Sequence, residues 1–118
     1  MKILFEEIIG YLVVRFSGAG TAEEAWKQFE SIAEHCKRAN KNKLLLDFTE
    51  AQAELSLADR YFLGEGAKIF KRHASKVATV GRPEQLDHRR FGETVARNRW
   101  VNIRVFTNIE EAHEWLLE

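Results

Sequence analysis

The chain has 118 residues, the size of one domain, and its hydrophobic content of 45% is sufficient for a single buried core. Its 18 basic side chains are balanced by 18 acidic ones, so it lacks the net positive charge typical of proteins that bind nucleic acid. The single cysteine, Cys36, excludes an intrachain disulfide, a Cys-x-x-Cys redox pair and a thiolate zinc site. We therefore expect one domain over residues 1–118 that does not bind nucleic acid.

The first residues and the hydropathy of the chain indicate its compartment. The opening apolar stretch is interrupted at once by Glu6 and Glu7, which is not the pattern of a signal peptide. No apolar run approaches the roughly 18–20 residues that cross a bilayer. The expectation is a cytoplasmic protein with no membrane span.

The first third of the chain predicts a hairpin followed by a helix. Residues 2–6 and 11–16 are extended segments, and the few residues between them suit a tight antiparallel turn. Thr21 and Glu24 form a capping box, which predicts the start of a helix. Apolar residues at spacings of three and four then form one stripe, made of Ala22, Trp26, Phe29, Ala33 and Cys36.

The middle of the chain predicts a buried strand and a second helix. Residues 43–48 contain three consecutive leucines, which is typical of a strand covered on both faces in a parallel sheet. Ser56 and Asp59 resemble a second capping box, and the helix that follows continues to about His73. Gly64 and Gly66 inside this helix predict a close approach to the sheet, with a local kink as the alternative.

The last third completes an alternation of strands and helices. Residues 76–80 and 101–106 are predicted strands, and Pro83 fits the first turn of a third helix between them. Asn108 caps a terminal helix that is expected to bury Ile109, Ala112, Trp115 and Leu116. The order β-β-α-β-α-β-α-β-α predicts an α/β layered sandwich. It has a mostly parallel five-stranded sheet, an N-terminal antiparallel hairpin and four helices.

This order and four local signatures resemble the SpoIIAA-like family of the STAS superfamily, which includes bacterial anti-sigma-factor antagonists. The signatures are LVVRFSG at residues 12–18, KLLLDF at 43–48, VATVG at 77–81 and VFTNIEEAHEWL at 105–116. The last is the most specific, and the resemblance spans essentially the whole chain. It implies a SpoIIAA-like fold, no cofactor, and a non-enzymatic protein-interaction or regulatory module.

The resemblance also implies a role for Ser56. Family antagonists carry a phosphorylatable serine where the loop after the third strand enters the second helix, and Ser56 stands at that place. The family pattern of Asp-Ser, then Ser or Ala, then Gly is replaced here by ELSLA at residues 54–58. Ser56 is therefore a candidate phosphosite and also a candidate helix cap, two roles that are compatible. We expect the module to work without the usual phosphoswitch.

Partners of open α/β sheets bind at the carboxyl ends of the parallel strands. We predict a partner edge there, formed by Glu54, Ser56, Arg82, Thr107 and Asn108. The hypothesis implies a protein partner, and it predicts a flat, mostly polar surface without a deep cavity. The exposed edge strand also permits a homodimer.

An alternative function is a small carrier of an apolar or lipid-like ligand, because other members of this fold group resemble CRAL-TRIO-type lipid carriers. Its pocket would measure several hundred cubic ångströms. We expect aromatic residues of the second and third helices to line it, namely Tyr61, Phe62, Phe70, Phe91 and Trp100. An enzyme would need a nucleophile–base pair, which the sequence does not suggest, and the four histidines are not at metal-ligand spacings.

Overall fold

The computed structural model of the protein describes residues 1–86 and 91–118, without the side chain of Phe91. Its sheet has five strands that lie side by side in chain order. They are β1 (Lys2–Ile8), β2 (Tyr11–Ala19), β3 (Lys43–Gln52), β4 (Lys76–Val80) and β5 (Ile103–Phe106). β1 pairs antiparallel with β2, and the other neighbours are parallel. The predicted mixed sheet and N-terminal hairpin are confirmed.

Four α-helices occur within the described residues, as predicted. They are α1 (Ala22–Arg38), α2 (Leu57–Gly66), α3 (Phe91–Arg97) and α4 (Ile109–Leu117). α2 continues into a 3₁₀ helix at Ala67–Arg72, so the two together account for the predicted second helix. The third helix does not begin at Pro83. Pro83–Gln85 is a separate 3₁₀ turn, and α3 begins at Phe91.

The ends of these elements follow from local chemistry. Gly10 has a φ of 99° in the two-residue turn between β1 and β2, a conformation that glycine adopts readily. The hydroxyl of Thr21 accepts a hydrogen bond from the amide of Glu24 at 3.2 Å. The side-chain oxygen of Asn108 accepts from two amides of the first turn of α4. No helix in the described part of the chain has both the length and the apolar character needed to cross a membrane.

The two faces of the sheet are covered differently. Parallel strands in sequential order, joined by right-handed crossovers, place every connecting helix on the same face. Leu12, Val14 and Phe16 of β2 accordingly belong to the core beneath α1 and the other connecting helices. Tyr11 and Val13 alternate with them and pack on the opposite face, which α4 covers. α4 buries Ala112, Trp115 and Leu116 as expected, whereas Ile109 is exposed.

The glycines of α2 bring helices together and not, as predicted, a helix and the sheet. A Cβ at Gly64 would lie 2.6 Å from the carbonyl oxygen of Gly92 in α3. A Cβ at Gly66 would collide with the indole of Trp26 in α1. Trp26 is 42% exposed and lies at the border of the apolar stripe of α1. The buried residues of this stripe are Ala22, Ala25, Phe29, Ile32, Ala33 and Cys36.

Candidate functional site

The carboxyl ends of β3, β4 and β5 form one edge of the molecule, here called the carboxyl rim. It comprises the loop that leads from β3 to Ser56, residues 81–86 after β4, and Thr107 with Asn108 after β5. β4 and β5 end together, because the amide of Gly81 donates to the carbonyl of Phe106 at 3.1 Å. The parallel strand order thus gathers three loops at a single edge.

Two side chains after β4 brace the end of β3. The guanidinium of Arg82 donates to the carbonyl oxygens of Thr49 and Ala51. The side-chain amide of Gln85 donates to the carbonyls of Phe48, at 2.8 Å, and Ala51, at 3.1 Å. These bonds satisfy backbone groups that β4 no longer reaches, since β4 pairs with β3 only as far as Asp47. The two loops are therefore held as one structural unit.

Ser56 is the N-cap of α2. Its hydroxyl accepts from the amide of Asp59 at 3.0 Å, and the carboxylate of Asp59 accepts from the amide of Ser56 at 3.0 Å. The predicted capping box is thus present with both of its hydrogen bonds. Ser56 and the nearby Glu54 are exposed at the rim.

Only some of the predicted rim residues contact a rim loop other than their own. Arg82 crosses from the β4 loop to the end of β3, whereas Glu54 and Ser56 lie further along the loop that enters α2. Thr107 and Asn108 are exposed after β5, where Asn108 is engaged in capping α4. Gln85 is the rim residue that sequence reasoning missed, because a glutamine beside a proline turn gives no local signal of a contact with β3.

Asp47 is the buried charged residue in the described part of the chain, only 6% exposed. Its Oδ1 accepts hydrogen bonds from the amide and the hydroxyl of Thr49, at 2.9 and 2.7 Å. The Nε of Arg15 lies 3.8 Å from its Oδ2, and Arg15 also forms an ion pair with Glu6. The carboxylate therefore orients the last part of β3 just before the segment that Arg82 holds. In the sequence, Asp47 stands out only as a single acidic residue at the end of an apolar run.

An apolar cavity of about 170 Å³ lies beneath the rim, between the sheet and helices α1, α2 and α3. Leu46 and Phe48 of β3 form part of its floor, and Phe29, Leu63 and Ala96 of the three helices contribute to its walls. Polar side chains also reach it, namely those of Arg60, Gln85 and Glu93. The expectation of an edge without a deep cavity is therefore wrong.

The aromatic residues predicted to line a pocket lie elsewhere. Tyr61 and Phe62 are exposed on α2, with Phe62 5.3 Å from the ring of Trp26, and Trp100 is 80% exposed. Phe70 is fully buried in the core. None of these four is among the residues that line the cavity, and the side chain of Phe91 lies outside the described residues. The cavity is smaller than predicted and is lined largely by small and branched residues.

The described residues provide little reactive chemistry. They contain no group of three or more His, Cys, Asp or Glu side chains that could hold a metal ion. Burial raises the pKa of the Cys36 thiol to about 11, so this side chain is a protonated core residue at neutral pH.

Comparisons with known proteins agree with this architecture. The crystal structure of an anti-sigma factor antagonist from Mycobacterium paratuberculosis is similar, with a TM-score of 0.66 and 14% identity over 99% of this chain and 94% of that one. An uncharacterized protein with a SpoIIAA-like fold from Shewanella loihica PV-4 has a TM-score of 0.56 and 23% identity over 98% and 92%. No curated protein matches the sequence. A family model described as SpoIIAA-like matches residues 11–117, and the chain therefore belongs to the SpoIIAA-like family.

Proposed function

We propose that this domain is a regulatory protein-interaction module that recognises another protein through its carboxyl rim. The observation that carries the proposal is the bracing of β3 by Arg82 and Gln85. A surface that is held in place before binding loses less conformational entropy when a partner docks, so this bracing favours recognition. The name of the similar Mycobacterium protein, an anti-sigma factor antagonist, also suggests a protein target.

We further propose that binding does not require phosphorylation of Ser56. The carboxylate of Asp59 already occupies the anionic position at the N-terminus of α2, through its bond to the amide of Ser56. A phosphate on the hydroxyl would place roughly two further negative charges beside that carboxylate and would remove the hydroxyl from the capping box. Like-charge repulsion therefore opposes the favourable effect of the helix dipole on a phosphate.

Affinity capture with the tagged chain tests the use of the rim. The double variant Arg82→Ala/Gln85→Ala releases the end of β3 and should lose a partner that the native chain retains. Lys71→Ala is the control, because Lys71 is exposed just before β4 begins, at the opposite edge of the sheet. Circular dichroism establishes that all variants are folded. A partner retained equally by the three proteins would contradict the use of the rim.

The same capture assay tests the independence from phosphorylation. Ser56→Ala and Ser56→Asp should both retain the partner, because neither the hydroxyl nor an added charge is part of the proposed recognition. Release by Ser56→Asp, with retention by Ser56→Ala, would instead indicate a phosphoswitch.

The cavity supports a second candidate function, a carrier of a small apolar ligand. Its volume of about 170 Å³ is close to that of an engineered cavity of about 150 Å³ that binds benzene. Ordinary ligand pockets measure roughly 300–1,000 Å³, so a lipid-sized molecule would not fit in the cavity as it stands. The ligand class that fits is an apolar molecule of about one ring.

Native mass spectrometry of the chain, purified without denaturation, tests the carrier function. A retained apolar compound should be absent from Ala25→Leu, which fills the cavity, and present in Ala58→Leu, an equal addition at an exposed position of α2. A native chain that carries no compound and shows no thermal shift with benzene or indole would remove the support for this function.

A further inference from the structure

The two edges of the sheet differ in whether a further strand can pair with them. At β5, the carboxylate of Glu93 accepts from the amide of Val105 at 2.6 Å. The guanidinium of Arg97 donates to the carbonyl of Ile103 at 3.2 Å. These side chains of α3 engage backbone groups that an added strand would need, so the β5 edge is protected against pairing.

The β1 edge has its backbone groups directed outward. Ile8 and Tyr11 close a two-residue hairpin turn, and such a closing pair exchanges both of its backbone hydrogen bonds. The even-numbered residues of β1 therefore bond to β2, whereas Ile3, Phe5 and Glu7 direct their amides and carbonyls to the open side. Within the described chain, β2 is the only strand beside β1.

The sequence of β1 is complementary to itself when two copies run antiparallel about Leu4. Lys2 of one copy then lies opposite Glu6 of the other, twice by symmetry, and Leu4 lies opposite Leu4. Leu4 is 63% exposed on the face that α4 covers only in part. A shift of the pairing by two residues would place Leu4 opposite Glu6 and lose both charge pairs. A shift by one residue would oppose side chains from different faces.

We propose that two copies of this chain form a symmetric homodimer through their β1 strands, with the two-fold axis between the Leu4 residues. The two sheets then become one continuous sheet. Ile3 of each copy exchanges two backbone hydrogen bonds with Phe5 of the other, and Lys2 and Glu6 fix the register. The carboxyl rim is not part of this interface, so the dimer goes beyond the proposed function and does not depend on it.

Disulfide trapping tests the register. The two Leu4 residues would form a non-hydrogen-bonded antiparallel pair, whose Cα atoms lie about 4.5 Å apart, within the roughly 4.4–6.8 Å span of a disulfide. Leu4→Cys should therefore cross-link in a mild oxidant. Lys2→Cys is the matched control, because its thiols would lie about four residues apart along the strands, roughly 13 Å. The native Cys36 is only 1% exposed and does not compete.

Sedimentation of the native chain should give twice the 13.7 kDa mass of one chain at micromolar concentrations. The cross-linked product should form with Leu4→Cys and not with Lys2→Cys. A native chain that is monomeric, a Leu4→Cys variant that does not cross-link, or equal cross-linking of the two variants would overturn the proposal.

A charge placed on the two-fold axis tests the interface without a cross-linking reaction. Leu4→Lys puts two like charges opposite each other and should convert the dimer into a monomer with an unchanged circular dichroism spectrum. Leu57→Lys makes the same change on α2, at a residue that is 62% exposed, and should leave the dimer intact. Equal effects of the two substitutions on the sedimenting mass would refute pairing through β1.

Discussion

The contact between α2 and α3 depends on the missing side chain of Gly64. A Cβ at this position would lie 2.6 Å from the carbonyl oxygen of Gly92 and 2.9 Å from the Cβ of Val95. Both distances are far below van der Waals contact, and neither atom can move by a rotamer change. Gly64→Ala must therefore push α3 away from α2, and with it part of the wall of the cavity.

The expected loss of stability combines two opposing effects. Overpacking of a well-packed interior costs roughly 1–3 kcal/mol, and a collision with backbone belongs in the upper part of that range. Alanine recovers about 1 kcal/mol through its higher helix propensity. The free energy of unfolding should thus fall by about 1–2 kcal/mol, which for a domain of this size lowers Tm by roughly 4–10 °C.

Gly92→Ala is the matched control for this substitution. Its Cβ would meet the carbonyl oxygen of Arg60 at 3.3 Å, a less severe contact than the 2.6 Å at Gly64, so the loss of stability should be clearly smaller. Urea unfolding followed by circular dichroism measures both variants, and equal m values establish that the transitions are comparable. A Gly64→Ala protein as stable as the native one, or an equal loss for Gly92→Ala, would refute the packing reasoning.

Three further predictions concern single side chains. Ser56→Ala should lower the free energy of unfolding by roughly 1 kcal/mol, because the helix cap is lost. Ser31→Ala should not, because Ser31 is an exposed serine inside α1. Equal losses would contradict the capping role. Burial raises the pKa of Cys36 from 9.0 to about 11, so the thiol loses its proton at a lower pH in the unfolded chain than in the folded one. The contribution of Cys36 to the free energy of unfolding is therefore complete below pH 9 and declines towards pH 11. The decline should be smaller in urea titrations of Cys36→Ala, in which the pKa of Tyr11, also raised by burial, still contributes, and an equal decline in the two proteins would contradict this role of Cys36. The hydrogen bond from Lys68 lowers the pKa of Glu65, so the stabilising effect of the Glu65 carboxylate is present at neutral pH and lost in acid. The Tm values of the native and Glu65→Gln proteins should therefore converge as the pH falls. Divergence of the two Tm values would exclude this linkage.

The features that sequence reasoning predicted correctly are those encoded over a few neighbouring residues. The caps at Thr21, Ser56 and Asn108 each depend on a side chain and an amide at most three positions away. The continuous apolar run at residues 44–46 identified a strand covered on both faces without reference to any partner. The mostly parallel pairing of the strands that alternate with helices then followed from general rules of chain connection.

The features that could not be predicted depend on contacts between distant segments. Arg82 and the carbonyl of Thr49 are 33 positions apart, and nothing near Arg82 indicates which backbone group its guanidinium will reach. Residue type alone predicts a pocket lined by the aromatic residues of α2. Their actual exposure follows from the rotation of α2, which its close contacts at Gly64 and Gly66 fix. Residue type alone therefore does not predict which aromatic side chains of α2 are buried, because their burial depends on the helices packed against it.

The strand order separates the proposed partner surface from the proposed dimer surface. All loops of the carboxyl rim follow β3, β4 and β5, whereas β1 lies at the far side of the sheet. Because antiparallel pairing of β1 reverses the strand direction, the two rims of a dimer would point to opposite ends. Partners bound at the rims would then not meet, which predicts one partner per chain in both the native dimer and monomeric Leu4→Lys. A partner that binds the dimer but not this monomer would show that the two surfaces are coupled.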